Sequence, residues 1–291
     1  MKKMKIIKLA AAKLNLLLDL TGIFPNGYHG IYTVMQSVDL ADVVSIEQAK
    51  DIALTCDAPE IPCDVHNTAY KAARLFFAQT GIEGGAHIDI QKRIPSQAGM
   101  AGGSADAAAV LCGLNELYQA DLSRAQLCAL GAKIGADVPF CMFGGTALCQ
   151  NIGELCTKLP DLPACSIVCV KPDCNVSTAE AYAAYDALQQ VRHPAKENAI
   201  FAYMQGDLQE FYRLCANVFE QAVDVPGRAE IKSVMRAFRC DFTLMTGSGS
   251  VVYGIFSDEK VAEDCASALR RGGRNAFVVH PVAAGILPYV K

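Results

Sequence analysis

One segment restricts what this chain can fold into more than any other: Pro95-Ser96-Gln97-Ala98-Gly99-Met100-Ala101-Gly102-Gly103-Ser104-Ala105-Asp106. Upstream, Ile88 and Ile90 alternate with polar residues, as a half-buried strand would. Downstream, Ala107, Val110, Leu111, Leu114, Leu117 and Tyr118 recur at helical spacing. A strand is therefore expected to feed a helix through a loop of glycine and alanine. Such a loop lets backbone approach a ligand closely. The first N–H groups of the helix point outward with partial positive charge. Together these predict an anion site suited to phosphates. Two familiar phosphate loops are excluded, because no lysine follows the glycines as in G-x-x-x-x-G-K-S/T and the spacing is not G-x-G-x-x-G. A turn of small residues packed against a neighbour would show the same glycine content; Ser104 and the immediate start of the helix favour the phosphate reading.

At 291 residues the chain suits two domains of ordinary size. Its 52% hydrophobic and 19% charged residues supply ample core and give no sign of disorder. The net charge of −4, with no basic run longer than Lys92-Arg93 or Arg270-Arg271, speaks against a nucleic-acid partner. The 13 cysteines are odd in number, sit mostly in apolar runs and show no C-x-x-C spacing, so small buried thiols in a reducing cytoplasm are expected rather than a zinc site. Met1-Lys2-Lys3 followed by Ala10-Ala11-Ala12 imitates a secretion signal, but Lys5, Lys8, Lys13 and Asn15 interrupt the roughly 7–15 apolar residues such a signal needs. No stretch reaches the roughly 20 apolar residues of a membrane span.

Along the chain, residues 5–20 read as one or two apolar strands, and Val43–Glu47 and Ile52–Thr55 as short ones. Pro25-Asn26-Gly27 marks a turn before Tyr28-His29-Gly30. Asn67 is placed to cap a helix, and Ser123-Arg124-Ala125-Gln126 has the form of a capping box opening another that ends at Gly135. Asp137 then lies just past a helix end, with Pro139 expected to block helical continuation. Leu159-Pro160-Asp161-Leu162-Pro163 breaks the rhythm and is the expected boundary between domains at 1–160 and 161–291. Beyond it, strands at 166–170, 242–246, 251–256 and 275–280 interleave with helices from about Thr178, through 205–237, and at 258–271, as in a compact α/β sandwich.

The loop sequence Pro-x-x-Ala-Gly-Met-Ala-Gly-Gly-Ser-Ala-Asp-Ala-Ala resembles the central motif of the GHMP kinases. Ala12-Lys13-Leu14-Asn15-Leu16 is similar to the opening motif of that family. Thr246-Gly247-Ser248-Gly249-Ser250-Val251-Val252-Tyr253-Gly254 is similar to its late glycine-rich motif. The three occur in order and span nearly the whole chain. The resemblance implies an α+β fold of two domains, the first like domain 2 of a ribosomal small-subunit protein and the second a ferredoxin-like sandwich. It implies an ATP-dependent small-molecule kinase, with Pro95 through Ala105 wrapping the ATP phosphates and Lys92 and Asn67 lining the adenosine pocket. Mg²⁺ is expected with ATP, with no protein metal ligand identifiable.

Further segments resemble one branch of the family, whose acceptor carries a cytidine diphosphate group on methylerythritol in the non-mevalonate route to isoprenoid precursors. They are Asn26-Gly27-Tyr28-His29, Gly135-Ala136-Asp137-Val138-Pro139-Phe140 and Val176-Ser177-Thr178-Ala179-Glu180-Ala181-Tyr182. By this resemblance Tyr28 and His29 hold the cytosine, Tyr182 faces it from the other domain, and Thr178, Gly247 and Ser248 lie near the substrate. Flat bases stack well between aromatic rings. Asp137 is the expected general base for a tertiary 2-hydroxyl, and Lys13 its partner. Asn15, two residues along a strand from Lys13, shares its face and is assigned to substrate contact.

The chain departs from the branch at Gln97, Ala98 and Ala101, where some members carry glycine, and at Asn217-Val218-Phe219-Glu220, to which no role is carried. Alternative readings are a GHMP kinase acting on homoserine, mevalonate or a sugar, a non-catalytic binding protein of the same fold, and an RNA-associated protein, which the acidic charge opposes. A monomer or homodimer is expected.

Overall fold

The computed structural model describes residues 4–289, so Met1-Lys2-Lys3 of the signal-like opening lie outside the described residues. Its frame is a long antiparallel pair, β1 (Lys5–Ile23) and β2 (His29–Ala49). Residues 10–20 of β1 are buried without interruption, because β2 pairs with one edge and the other meets the end of β11, the glycine-rich loop and the 216–217 segment in turn. The segment expected as one or two strands is thus a single strand, and Val43–Glu47 is the far end of β2. Register shifts at Ala11/Ala12 and Asn15/Leu17 bend β1 around Lys13 and Asn15, two of its buried polar residues.

β3 (Ala53–Cys56) runs parallel to β4 (Gly85–Gln91), and β4 pairs with the far end of β2. The near end of β2 pairs with β5 (Thr146–Gln150), which pairs with β6 (Leu155–Lys158). Four helices cover this sheet: α1 (Thr68–Thr80), α2 (Gly102–Leu117), α3 (Arg124–Ala132) and α4 (Val138–Phe143). α2 lies centrally, with Ala105, Ala107, Ala108, Ala109, Val110 and Leu111 all buried. Small residues let it approach closely: a Cβ on Gly113 would collide with Ile46. The capping box at Ser123 forms as expected, and Asn67 caps α1.

The second sheet has the order β10-β7-β9-β8, with β7 at Ser166–Lys171, β8 at Phe242–Met245, β9 at Val252–Phe256 and β10 at Asn275–Val279. α8 (Arg228–Ala237) and α9 (Glu259–Arg271) complete the βαββαβ order of a ferredoxin-like sandwich. Between β7 and α8 lie α5 (Thr178–Asp186), α6 (Lys196–Met204), α7 (Leu208–Leu214) and a 3-10 turn at Val218–Gln221, so the helical run expected over 205–237 is broken. The last strand, β11 (Ile286–Pro288), recrosses the expected boundary at 160/161 and pairs with β1 at Lys8, Leu9 and Ala10. Among the described residues no helix is long and apolar enough to cross a membrane.

Candidate active site

The glycine-rich loop, β1 and the late glycine-rich turn meet in one place. Met100 O accepts from Lys13 N at 3.1 Å, and Ala98 O accepts from Val251 N at 3.2 Å. Gly99 presses on Thr246, whose carbonyl a Cβ there would strike. Carbonyls of the loop therefore face inward to the protein. Gln97, Gly99 and Ala101 have positive φ of 48°, 74° and 60°. This alternation turns backbone N–H groups to a common side, as in an anion nest. None of the N–H groups of residues 97–103 finds an acceptor among the described residues. Two of the three left-handed residues are not glycine, so the conformation costs roughly 1–2 kcal/mol at each. α2 begins at Gly102 with no side-chain cap, adding its own free amides. Ser104 stands on its first turn, with Oγ close to Gly135.

Across from the loop, Lys13 Nζ donates to Asn15 Oδ1 at 2.7 Å and lies 3.6 Å from Asp137 Oδ2. The lysine side chain is 5% exposed and the aspartate 32%. Asp137 occupies the N-cap position of α4, yet its backbone is helical and its carboxylate makes no capping bond. The carboxylate is thus free to face Lys13. Pro139, expected to block a helix, sits instead in the first turn of α4, where a missing N–H costs nothing.

Asn15 does share a face with Lys13, but it is 1% exposed and both ends of its amide have protein partners. Nδ2 donates to Thr33 Oγ1 at 2.8 Å, and Oδ1 accepts from Lys13 and, at 3.2 Å, from Thr246 Oγ1. Its bond from Lys13 orients the lysine. Lys92 and Asn67, expected in an adenosine pocket, are likewise committed to internal partners. Asn67 accepts from Ala69 N and donates to Pro62 O. Lys92 bonds Asp42 and, at 2.7 Å, Asp106, beneath the start of α2. Burial alone would lower the pKa of Lys92, but the two carboxylates outweigh it and raise it. The Asp106 carboxyl is raised to about 7: burial lifts it most, Lys92 offsets part of that rise and Asp42 adds to it. Asp106 Oδ1 has no hydrogen-bond partner.

On the opposite side of Asp137, His29 packs against Tyr182 at 4.8 Å between ring centroids, and its Nε2 lies 2.7 Å from Asp186 Oδ1. Tyr182 rests edge-on against Phe219 at 5.0 Å. Burial and then the charge of Asp137 push the Tyr182 phenol far above its usual range, which puts the ring within electrostatic reach of that carboxylate. Tyr28 is 62% exposed, with its ring free of aromatic partners among the described residues. Thr178 and Ser248 hydroxyls stand 3.4 Å apart, closing the floor between α5 and the late turn.

Asn217 was given no role by the sequence. Its Nδ2 donates to both Met245 O at 2.7 Å and Gly247 O at 2.8 Å, and its Oδ1 accepts from Phe219 N. It therefore holds the late turn and the ring behind Tyr182 together. An asparagine flanked by apolar residues and buried at 2% was the available signal.

The family model for the GHMP kinases N terminal domain matches residues 67–145, and that for the GHMP kinases C terminal domain matches residues 199–275. A 4-diphosphocytidyl-2-C-methyl-D-erythritol kinase of Caldicellulosiruptor saccharolyticus is 43% identical over 90% of this chain and 91% of its own length. One of the same name from Carboxydothermus hydrogenoformans is 42% identical over 95% of this chain and 96% of its own length. The crystal structure of a 4-(cytidine 5'-diphospho)-2C-methyl-D-erythritol kinase superposes with a TM-score of 0.78 at 32% identity, covering 95% of this chain and 99% of that one. A homoserine kinase from Cytophaga hutchinsonii has a TM-score of 0.80 at 18% identity, covering 99% and 98%, and so shares the fold.

Proposed function

The chain belongs to the GHMP kinases, and on that premise we propose that it transfers the γ-phosphoryl group of ATP to the 2-hydroxyl of 4-diphosphocytidyl-2-C-methyl-D-erythritol, in isoprenoid precursor biosynthesis. One observation carries the chemistry: a partly exposed carboxylate, Asp137, held 3.6 Å from a buried ammonium beside a loop of free amides.

Phosphoryl transfer depends mainly on positioning and on stabilising spread charge. The amides of residues 97–103 and the start of α2 bind the phosphates of ATP. Asp137 accepts the proton of the attacking hydroxyl as its oxygen bonds to phosphorus and ADP leaves. Lys13, oriented by Asn15, steadies the negative charge between acceptor and phosphate. Tyr28, His29 and Tyr182 offer aromatic surfaces to the cytosine, and Thr178 and Ser248 line the way to it.

Among the described residues no three His, Cys, Asp or Glu side chains converge to hold an ion. This suits Mg²⁺ brought by the phosphates of ATP, with Ser104 as the nearest hydroxyl of the loop. When bound, the ion neutralises phosphate charge.

An ATP-consumption assay offering the diphosphocytidyl acceptor beside homoserine, mevalonate and galactose tests the reading. Turnover should require the cytidyl acceptor, and cytidine diphosphate should compete with it. Turnover with homoserine, mevalonate or galactose and none with the cytidyl compound refutes the proposed acceptor.

A further inference from the structure

Behind the site, β5 and β6 form a hairpin in which Cys149 and Cys156 stand directly opposite each other. Their sulfurs are 3.3 Å apart, with the Cys149 thiol donating to Cys156 Sγ. Cys149 is fully buried and packs with Met35 and Phe140, while Cys156 is partly exposed. All 13 cysteines are in the thiol form. A disulfide needs sulfurs near 2.05 Å and Cα atoms about 4.4–6.8 Å apart. Opposed residues of an antiparallel ladder meet the second condition without backbone movement, at about 4.5–5.5 Å.

We propose that Cys149 and Cys156 are a reversible oxidation site, converted by hydroperoxides to a cross-strand disulfide. Of the two sulfurs, that of Cys156 is the one that solvent reaches. Cys156 attacks a peroxide oxygen as its thiolate, giving a sulfenic acid and water (the second oxygen leaves with a proton from solvent). Cys149 then attacks the Cys156 sulfur; the S–O bond breaks and the hydroxide leaves as water with the Cys149 proton. A small dithiol reverses the bond, becoming oxidised while both sulfurs regain hydrogen.

The placement gives the reaction a use. The hairpin turn lies between the two halves of the site: Asn151 O accepts from Ile31 N at 2.6 Å, and a Cβ on Gly153 would lie 3.5 Å from Ala136, the residue before Asp137. Oxidation of Cys149 or Cys156 to a sulfinate would force a charge into this back wall. A disulfide adds no charge and barely moves the strands, so it protects the wall while catalysis continues.

The test exposes purified protein to hydrogen peroxide and follows thiols by differential alkylation and mass spectrometry. Cys149 and Cys156 should resist alkylation together, become labelled only after dithiothreitol, and leave turnover within about twofold of the reduced enzyme. In Cys149→Ser, Cys156 should be trapped by dimedone as its sulfenic acid and go on to sulfinate about tenfold faster than in wild type. Both residues staying alkylatable after peroxide, Cys156 reaching sulfinate equally fast with and without Cys149, or a disulfide that abolishes turnover would each overturn the proposal. These thiol readouts do not depend on which acceptor the kinase uses.

Discussion

Two lysines sit under the nucleotide loop, and they teach opposite lessons. Lys13 and Lys92 are almost equally hidden, at 5% and 9% exposure, and each faces carboxylate. Lys92 is clamped between Asp42 and Asp106, which are themselves 0% and 5% exposed. Lys13 has one carboxylate at the looser distance of 3.6 Å, and that carboxylate is a third exposed. Burial of a cation therefore does not mark a catalytic group. What separates the two is slack: Asp137 is partly exposed and loosely held at 3.6 Å, whereas Asp42 is fully buried and also bonds Arg93 N and Ile94 N.

The sharpest way to break this contrast is Asp137→Ala. Turnover should fall about 10²–10⁴-fold while ATP binding, followed by calorimetry, stays near wild type. Turnover within tenfold would make Asp137 a spectator. Lys92→Met should act on the other axis. It leaves two buried carboxylates facing each other, so denaturant unfolding should show a loss of about 3–5 kcal/mol. A Lys92 variant with wild-type stability and lost turnover would reverse the roles assigned to the two lysines.

A smaller effect lies in pH. Asp106 has a folded pKa of about 7 against an ordinary value of 3.8. Between those values the native protein keeps a proton that the unfolded chain has released, so this group's contribution falls as pH rises through that window and levels off above it. Asp106→Asn removes the titration. Relative to wild type, the variant should gain stability from pH 4 to 7 in urea melts, and parallel curves would contradict the raised pKa of Asp106. The smallest change expected is in Tyr182→Leu. Loss of one stacking ring should raise KM for the cytidyl acceptor about 5–100-fold and leave KM for ATP alone.

Much of the site was legible because its signals are local. The loop declares itself in adjacent residues, Lys13 and Asn15 share a face by strand period, and Asp137 stands at a helix boundary. The rest depends on partners far along the chain. Asn15 meets Thr246 across 231 positions, and Lys92 meets Asp42 across 50. Nothing in either neighbourhood shows that Asn15 is tied to Thr33 and Thr246 or that Lys92 is neutralised from both sides. The buried Asp19, bonded to His193 and Lys196 at 2.6 Å, was equally silent, since all that precedes it is an apolar run. The length of β2 was missed because Gln36, Ser37 and Asp39 interrupt its hydrophobic pattern, and their partners, Thr146, Gly145, His280 and Val282, lie more than 100 positions away.

The return of β11 to β1 has a bearing on how the enzyme is made. Lys8, Leu9 and Ala10 pair with residues 286–288, and Ala11 N donates to Gly285 O, two positions from Lys13. A nascent chain emerging from the ribosome can assemble the helices around α2 early, yet one edge of β1 stays bare until residues 286–288 have been made. Premature termination anywhere before residue 286 thus yields a protein with an unfinished first sheet.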